Sequence, residues 1–137
     1  MQQKIVLTGG CFDILHIGHV RFLKKAKSFG NYLIVLLESD ENIKKIKGKN
    51  RPFHKVKERR ETLEALRSVD KVIVLPELVN DKTYDDLIKK IKPSSITVTE
   101  DDPLIYKKLA QAKSVGAKLN IVKKYKSNST TSIKKLL

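Results

Sequence analysis

Lys4-Ile5-Val6-Leu7-Thr8-Gly9-Gly10-Cys11-Phe12-Asp13-Ile14-Leu15-His16-Ile17-Gly18-His19 decides how the rest of this chain is read. An apolar run leads into a glycine pair, and a helical pattern opens at Val20. The stretch therefore reads as a strand, a tight glycine turn and a helix start that carries two imidazoles. Residues three apart on a helix share a face, with Cβ atoms roughly 5–6 Å apart. His16 and His19 can thus converge on one group, and Gly18 leaves the backbone open between them.

That arrangement suits phosphate. A helix N-terminus presents unpaired N–H groups and a partial positive charge, and glycines let the main chain approach phosphate oxygens closely. Two imidazoles add hydrogen-bond donors where charge develops. The competing reading makes one histidine a helix cap and the other a buried structural residue. The chain has three histidines, and two of them fall in this one turn, which favours function. Cys11 could serve as a thiol in the phosphate turn, but it reads better as a small tolerated residue. It is the sole cysteine, so neither an intrachain disulfide nor a cysteine zinc cage is expected.

At these residues the sequence resembles the cytidylyltransferase-like nucleotidyltransferases, whose signature is a His-x-Gly-His segment after the first strand's glycine turn. The resemblance extends over almost the whole chain. It includes Ser39-Asp40, Lys47-Gly48-Lys49-Asn50-Arg51-Pro52, Glu58-Arg59 and Ser129-Thr130-Thr131-Ser132-Ile133. It implies catalytic roles for His16, His19 and Lys47. Thr8, Gly9, Gly10, Cys11, Phe12, Asp13, Gly18, Ser129, Thr130 and Thr131 become the expected nucleotide-binding set. Lys44, Arg51, Arg59 and Asp40 are the expected group around substrate phosphate. Asp13 is open to three readings: turn cap, partner of a basic side chain, or water-mediated support for Mg²⁺. The sequence shows no strong metal cage, so Mg²⁺ is expected to arrive with the nucleotide, held mainly by phosphates.

Within the family, the Ser39-Asp40, 47–52 and Ser-Thr-Thr segments look most like the adenylyltransferase domain that activates heptose 1-phosphate for lipopolysaccharide core synthesis. Glycerol-3-phosphate cytidylyltransferases share much of the pattern, and FAD synthases of similar type are the enzymatic rival. Two departures stand out. Thr99-Glu100-Asp101-Asp102-Pro103 replaces a glycine-containing loop after the fourth strand, and lysines stand around the Ser-Thr-Thr tail where an arginine is usual. The expected reaction moves a nucleoside monophosphate, AMP ahead of CMP, from ATP or CTP to a phosphorylated small molecule, releasing pyrophosphate.

With 137 residues, 40% of them hydrophobic and 32% charged, the chain is expected to form one globular domain over residues 1–137. The longest apolar stretch, residues 32–37, is far too short to span a bilayer, and a cytoplasmic enzyme without a membrane partner is expected. The net charge of +14 attracts polyanions. Most of it is lysine, however, with arginine confined to Arg21, Arg51, Arg59, Arg60 and Arg67, no Trp and 6% aromatics. Nucleic-acid readers lean on arginine forks and stacking aromatics, so a nucleic-acid partner is not expected, and an RNA- or nucleotide-binding module is the non-enzymatic alternative. A class I aminoacyl-tRNA synthetase fragment shares His-x-Gly-His, but the chain is too short for an anticodon module.

Short β-branched runs at 4–8, 32–38, 71–75, 95–99 and 118–122 predict strands. Helical patterns lie near 17–29, 56–68, 84–91 and 103–115, with a last one near 130–136. Residues 44–51 read as an irregular basic loop because Gly48 and Pro52 interrupt them. Strands this continuously apolar, alternating with helices, predict an α/β fold: a Rossmann-like, doubly wound, five-stranded parallel sheet of the nucleotidyltransferase type. Ligands then bind beyond the carboxyl ends of the strands. A homodimer, pairing near Leu78 and Val79, is expected from the family.

Overall fold

The computed structural model describes residues 2–77 and 79–125. Five parallel strands, β1 (Ile5–Gly10), β2 (Tyr32–Leu37), β3 (Lys71–Val74), β4 (Ser95–Thr99) and β5 (Lys118–Val122), form one sheet in the order β3-β2-β1-β4-β5. Between them run α1 (Ile17–Ser28), α2 (Asp40–Lys47), α3 (Val56–Glu64), α4 (Asp81–Ile91) and α5 (Ile105–Ser114). The doubly wound parallel sheet expected from the apolar runs is the fold observed.

Alternation along the central strands explains why both sheet faces are covered. Val6, Leu33, Val35 and Leu37 point to one side, where Leu23 and Ala26 of α1 and Leu63 of α3 pack on them. Leu7, Ile34 and Leu36 point to the other, against Ile88 of α4 and Ala112 of α5. Strands buried on both faces must be apolar at successive positions, which is why they read as continuous runs.

Three local features depart from the expectation. The glycine pair belongs to the strand: Gly9 and Gly10 lie in register with Leu36 and Leu37 of β2, and the turn begins only afterwards. The left-handed residue of that turn is Phe12, at φ 46°, and neither glycine has a positive φ. Residues 40–47, partly assigned to the basic loop, form helix α2. Ser39 caps it by accepting the Asn42 N–H, Asp40 and Glu41 fill its first turn and three lysines its last, all matched to the helix dipole. Gly48, at φ 106°, ends it. Helix α3 stops at Glu64, short of the expected residue 68, whereas α4 starts three residues earlier than expected because Asn80 supplies a cap.

The expected helix at 130–136, together with Ser129, Thr130, Thr131 and Leu78, lies outside the described residues. No helix among the described residues is long and apolar enough to cross a membrane.

Candidate active site

A cleft of about 940 Å³ opens at the carboxyl edge of the sheet, lined by the ends of β1 and β4 and the first turn of α1. This is the point where the strand order reverses around β1, with α1 leaving to one face and α4 and α5 to the other. In open parallel sheets that crevice is where ligands bind. Thr8, Gly9, Gly10, Cys11, Phe12, Asp13, His16, Gly18, His19, Lys47 and Arg51 all line it. Of the described residues expected at the site, Lys44, Arg59 and Asp40 do not.

His16 is both a cap and a cleft residue, so capping the helix does not withdraw it from the cleft. Its Nδ1 accepts the Gly18 N–H at 3.0 Å, and His19 Nδ1 accepts the His16 N–H at 3.2 Å, which closes a capping box at the start of α1. The rings sit 4.1 Å apart, centroid to centroid. An Nδ1 that accepts leaves the hydrogen on Nε2, so each ring keeps one N–H donor beyond the cap. Burial, the neighbouring His16 and Lys47 lower the pKa of His19 to about 4, so it is neutral at ordinary pH. Gly18 is required by contact: a Cβ there would meet His16 Cε1 at 2.7 Å. The first turn of α1 has no carboxylate, which leaves its N-terminus open to an anion.

Asp13 resolves as the partner of a basic side chain. It is 5% exposed and accepts from Arg51 Nε at 2.7 Å and from the backbone N–H groups of Phe53 and His54, each at 2.9 Å. Burial alone would raise its pKa, but these donors overcome it and bring it to about 2. The clasp holds residues 51–54 over the turn after β1, with the Arg51 guanidinium on the cleft wall and 4.7 Å from the Phe53 ring centroid.

Arg59 does not fill its expected place at substrate phosphate. Its side chain is fully buried, with Nη1 donating to the carbonyls of Cys11 and Glu38, Nε to that of His54, and Nη2 to Asp40 Oδ1, all within 2.9 Å. The guanidinium is consumed inside the protein, tying the ends of β1 and β2 to the loop before α3. Asp40 is thereby occupied as well. Lys44 is exposed on α2 and pairs with Glu41 at 3.5 Å, away from the cleft. Cys11 has its thiol pKa raised by burial, against the pull of Lys47, which keeps it in the poorly nucleophilic protonated form.

Several cleft residues carry no motif and escape sequence reading. Glu38 accepts hydrogen bonds from the Tyr84 hydroxyl and from Asn42 Nδ2. Lys108 Nζ lies 5.3 Å from the centroid of the Tyr84 ring, and burial lowers its pKa although Asp102 and Glu38 oppose this. Gln111 borders the same space. At the opposite end, Arg21 stacks on Tyr125 at 4.3 Å. The unusual 99–103 loop is folded against β5 through Glu100 N–H to Val122 O at 2.9 Å and Asp101 to Lys124 Nζ at 3.1 Å, and Asp102 caps the approach to α5 by accepting the Leu104 N–H.

With a histidine-lined glycine edge on a parallel sheet in place, comparison with known proteins bears directly on the chain. The cytidylyltransferase-like family model matches residues 7–135. The chain belongs to the cytidylyltransferase-like family. This places it by class among the nucleotidyltransferases. The bifunctional protein HldE of Geobacter sulfurreducens is 36% identical over 134 residues, 96% of this chain and 26% of that protein. HldE of Aliarcobacter butzleri is 47% identical over 91 residues, 66% of this chain and 18% of the relative. The cytidylyltransferase-like chain thus spans about a fifth to a quarter of the length of these relatives. Among solved structures, the lipopolysaccharide core biosynthesis protein of Thermoplasma volcanium superposes with a TM-score of 0.72 at 29% identity, covering 93% of this chain and all of the other.

Proposed function

We propose that this chain transfers AMP from ATP to a sugar phosphate, foremost heptose 1-phosphate, and releases pyrophosphate. The observation that carries the reaction type is the convergence of two Nε2–H donors, an open helix N-terminus, Lys47 and Arg51 on one cleft at the end of β1. The HldE relatives and the lipopolysaccharide core protein from Thermoplasma volcanium support a sugar phosphate as acceptor.

In this reading an oxygen of the acceptor phosphate attacks the α-phosphorus of the triphosphate in line. The new P–O bond forms as the bond to the bridging α–β oxygen breaks, and its electron pair leaves with pyrophosphate. Positioning and charge stabilisation are the protein's contribution. His16 and His19 hydrogen-bond the α-phosphate oxygens as charge shifts, and Lys47 and Arg51 neutralise the converging phosphates. No covalent enzyme intermediate is needed, consistent with the protonated Cys11 thiol. Among the described residues no three His, Cys, Asp or Glu side chains come together in a way that could hold a metal ion. In this reading Mg²⁺ would arrive with the nucleotide, held mainly by its phosphates.

The test is pyrophosphate release with ATP or CTP, each with Mg²⁺, against heptose 1-phosphate, glycerol 3-phosphate and FMN. Release with ATP and heptose 1-phosphate is expected. Preference for CTP with glycerol 3-phosphate, or for ATP with FMN, would replace the acceptor assignment. Absence of release with every pair, together with RNA affinity that falls steeply with salt, would replace the enzyme by a binding module.

A further inference from the structure

The end of α2 and the loop after it carry more positive charge than the cleft uses. Between Glu41 and Glu58 the chain has six lysines, Arg51 and no carboxylate. Lys47 and Arg51 line the cleft, and Lys44 pairs with Glu41. Lys45, Lys49, Lys55 and Lys57 are exposed, and none of them has a carboxylate partner among the described residues.

Large apolar side chains stand among these cations in water. Ile46 and Phe53 are each 62% exposed and Ile14 is 50% exposed. Ile14, Ile46, Lys47 and Arg51 line one cleft, so the end of α2 and residues 51–54 run together along its rim. The rim is fixed. Asp13, beside Ile14, accepts from Arg51 and from the Phe53 and His54 N–H groups, and Arg59 holds the His54 carbonyl. A fixed loop that displays a phenyl ring forgoes the burial that would stabilise it, so a surface that covers the ring is favoured.

The charge calls for an anionic surface, and the side chains decide its kind. A nucleic-acid strand needs aromatic faces on which its bases stack. Here the Arg51 guanidinium lies 4.7 Å from the Phe53 ring centroid and covers one face, while Ile14 and Ile46 offer none. Lysine also lacks the planar fork that reads phosphates and bases. Apolar tips surrounded by lysines suit a bilayer instead: the ammonium groups meet anionic headgroups, and the tips enter the boundary with the acyl chains. On the other side of β1, the loop after β4 brings Asp101 and Asp102 to the cleft, so an anionic surface is drawn to the α2 side and repelled from that one. Such a contact needs no membrane-spanning helix, and none is present among the described residues.

We infer that Lys45, Lys49, Lys55 and Lys57, with Ile14, Ile46 and Phe53 among them, form a docking face for an anionic lipid bilayer. The inference does not depend on which acceptor the transferase uses.

Flotation of the full chain with vesicles of phosphatidylglycerol and phosphatidylcholine in equal parts, and with phosphatidylcholine alone, tests it at about 0.1 M salt. Binding to the anionic vesicles alone is expected, with release at about 0.5 M salt. Lys45→Gln, Lys49→Gln, Lys55→Gln and Lys57→Gln combined should weaken binding at least about a hundredfold, at roughly fivefold per lysine. A control of equal charge changes the exposed Lys24, Lys71, Lys90 and Lys113 to Gln, and should bind at least about tenfold more tightly than that variant. Phe53→Ser should weaken binding roughly tenfold. Thermal melts verify that each variant folds. Absence of binding to the anionic vesicles, equal binding to the neutral ones, or equal weakening in the four-lysine variant and its control overturns the docking face. An unchanged affinity in folded Phe53→Ser does so too. If a single-stranded RNA oligonucleotide binds the wild type at the same salt and the vesicles do not, the face reads nucleic acid and the lipid assignment falls.

Discussion

Asp13 and Arg51, 38 residues apart in the chain, form a 2.7 Å ion pair in which the carboxylate is buried and the guanidinium reaches the cleft. The pair converts a mobile class of segment, a glycine- and proline-interrupted basic loop, into a fixed wall of the site. Its carboxylate also gathers two backbone N–H groups, so the clasp acts on the loop as a whole.

Asp13→Asn is expected to destabilise the protein by about 2 kcal/mol at neutral pH, since it removes charge from an acceptor of three hydrogen bonds. The folded pKa of about 2 lies below the ordinary 3.8, so the unfolded chain takes up this proton first as the pH falls. The stabilisation is therefore complete above about pH 4 and is lost as pH falls through 2. Urea titrations of wild type and variant across this range check it. A stability difference that stays constant down to pH 2 would remove Asp13 from the clasp.

The histidines can be separated from their capping role. Asn is a good N-cap, so His16→Asn is expected to keep the melting temperature close to wild type while losing the ring Nε2–H. Turnover should drop by roughly two to three orders of magnitude, as for loss of one preorganised donor. His19→Ala should show a similar loss. Near-normal turnover in either variant at saturating substrates would assign that histidine to structure alone.

His19 should titrate near pH 4, well below an ordinary imidazole. Because the unfolded chain protonates at about 6.5, the contribution of neutral His19 to stability is present above that value and declines as pH falls through 4. Imidazole proton shifts followed by NMR read this directly. A midpoint near 6.5 at His19 would show that burial, His16 and Lys47 do not act on the ring as argued.

Gly18→Ala should split stability from activity. Alanine favours the helix by up to about 1 kcal/mol over glycine, so the fold should hold. The new Cβ would displace the His16 ring, and turnover should fall at least about tenfold. A melt paired with steady-state kinetics tests both halves.

Arg59→Lys is expected to cost about 3 kcal/mol despite retaining the charge. Lysine has three donors on one nitrogen and cannot reproduce a planar fork that meets three carbonyls and a carboxylate. Chemical denaturation checks it. A loss below about 0.5 kcal/mol would mean that the fork is replaceable.

The sheet was legible because strands covered on both faces must be apolar at successive positions, and Leu33 through Leu37 have no other use on a short segment. The histidine motif was legible because its spacing carries its chemistry locally. Helix α2 was obscured by Gly48 and Pro52, although Ser39, Asp40, Glu41 and the following lysines are a complete set of helix signals. Arg59 could not be placed, because a helix with only Arg59 and Leu63 buried gives no periodic sign that a guanidinium faces inward. The Glu38, Tyr84, Lys108 and Gln111 group was invisible for a different reason. Its members stand on separate elements, and only the crossovers bring them together.

The fork of Arg59 joins carbonyls at Cys11 and Glu38, which line the cleft, and at His54 in the loop before α3. Releasing one of these strands of chain leaves a buried cation short of an acceptor, which raises the free energy of every partial opening. Fraying at this edge should therefore be all-or-none. Amide exchange at the end of β1, the end of β2 and the loop before α3 should share one opening event, and substrate exchange must use the outer wall without loosening the rim itself.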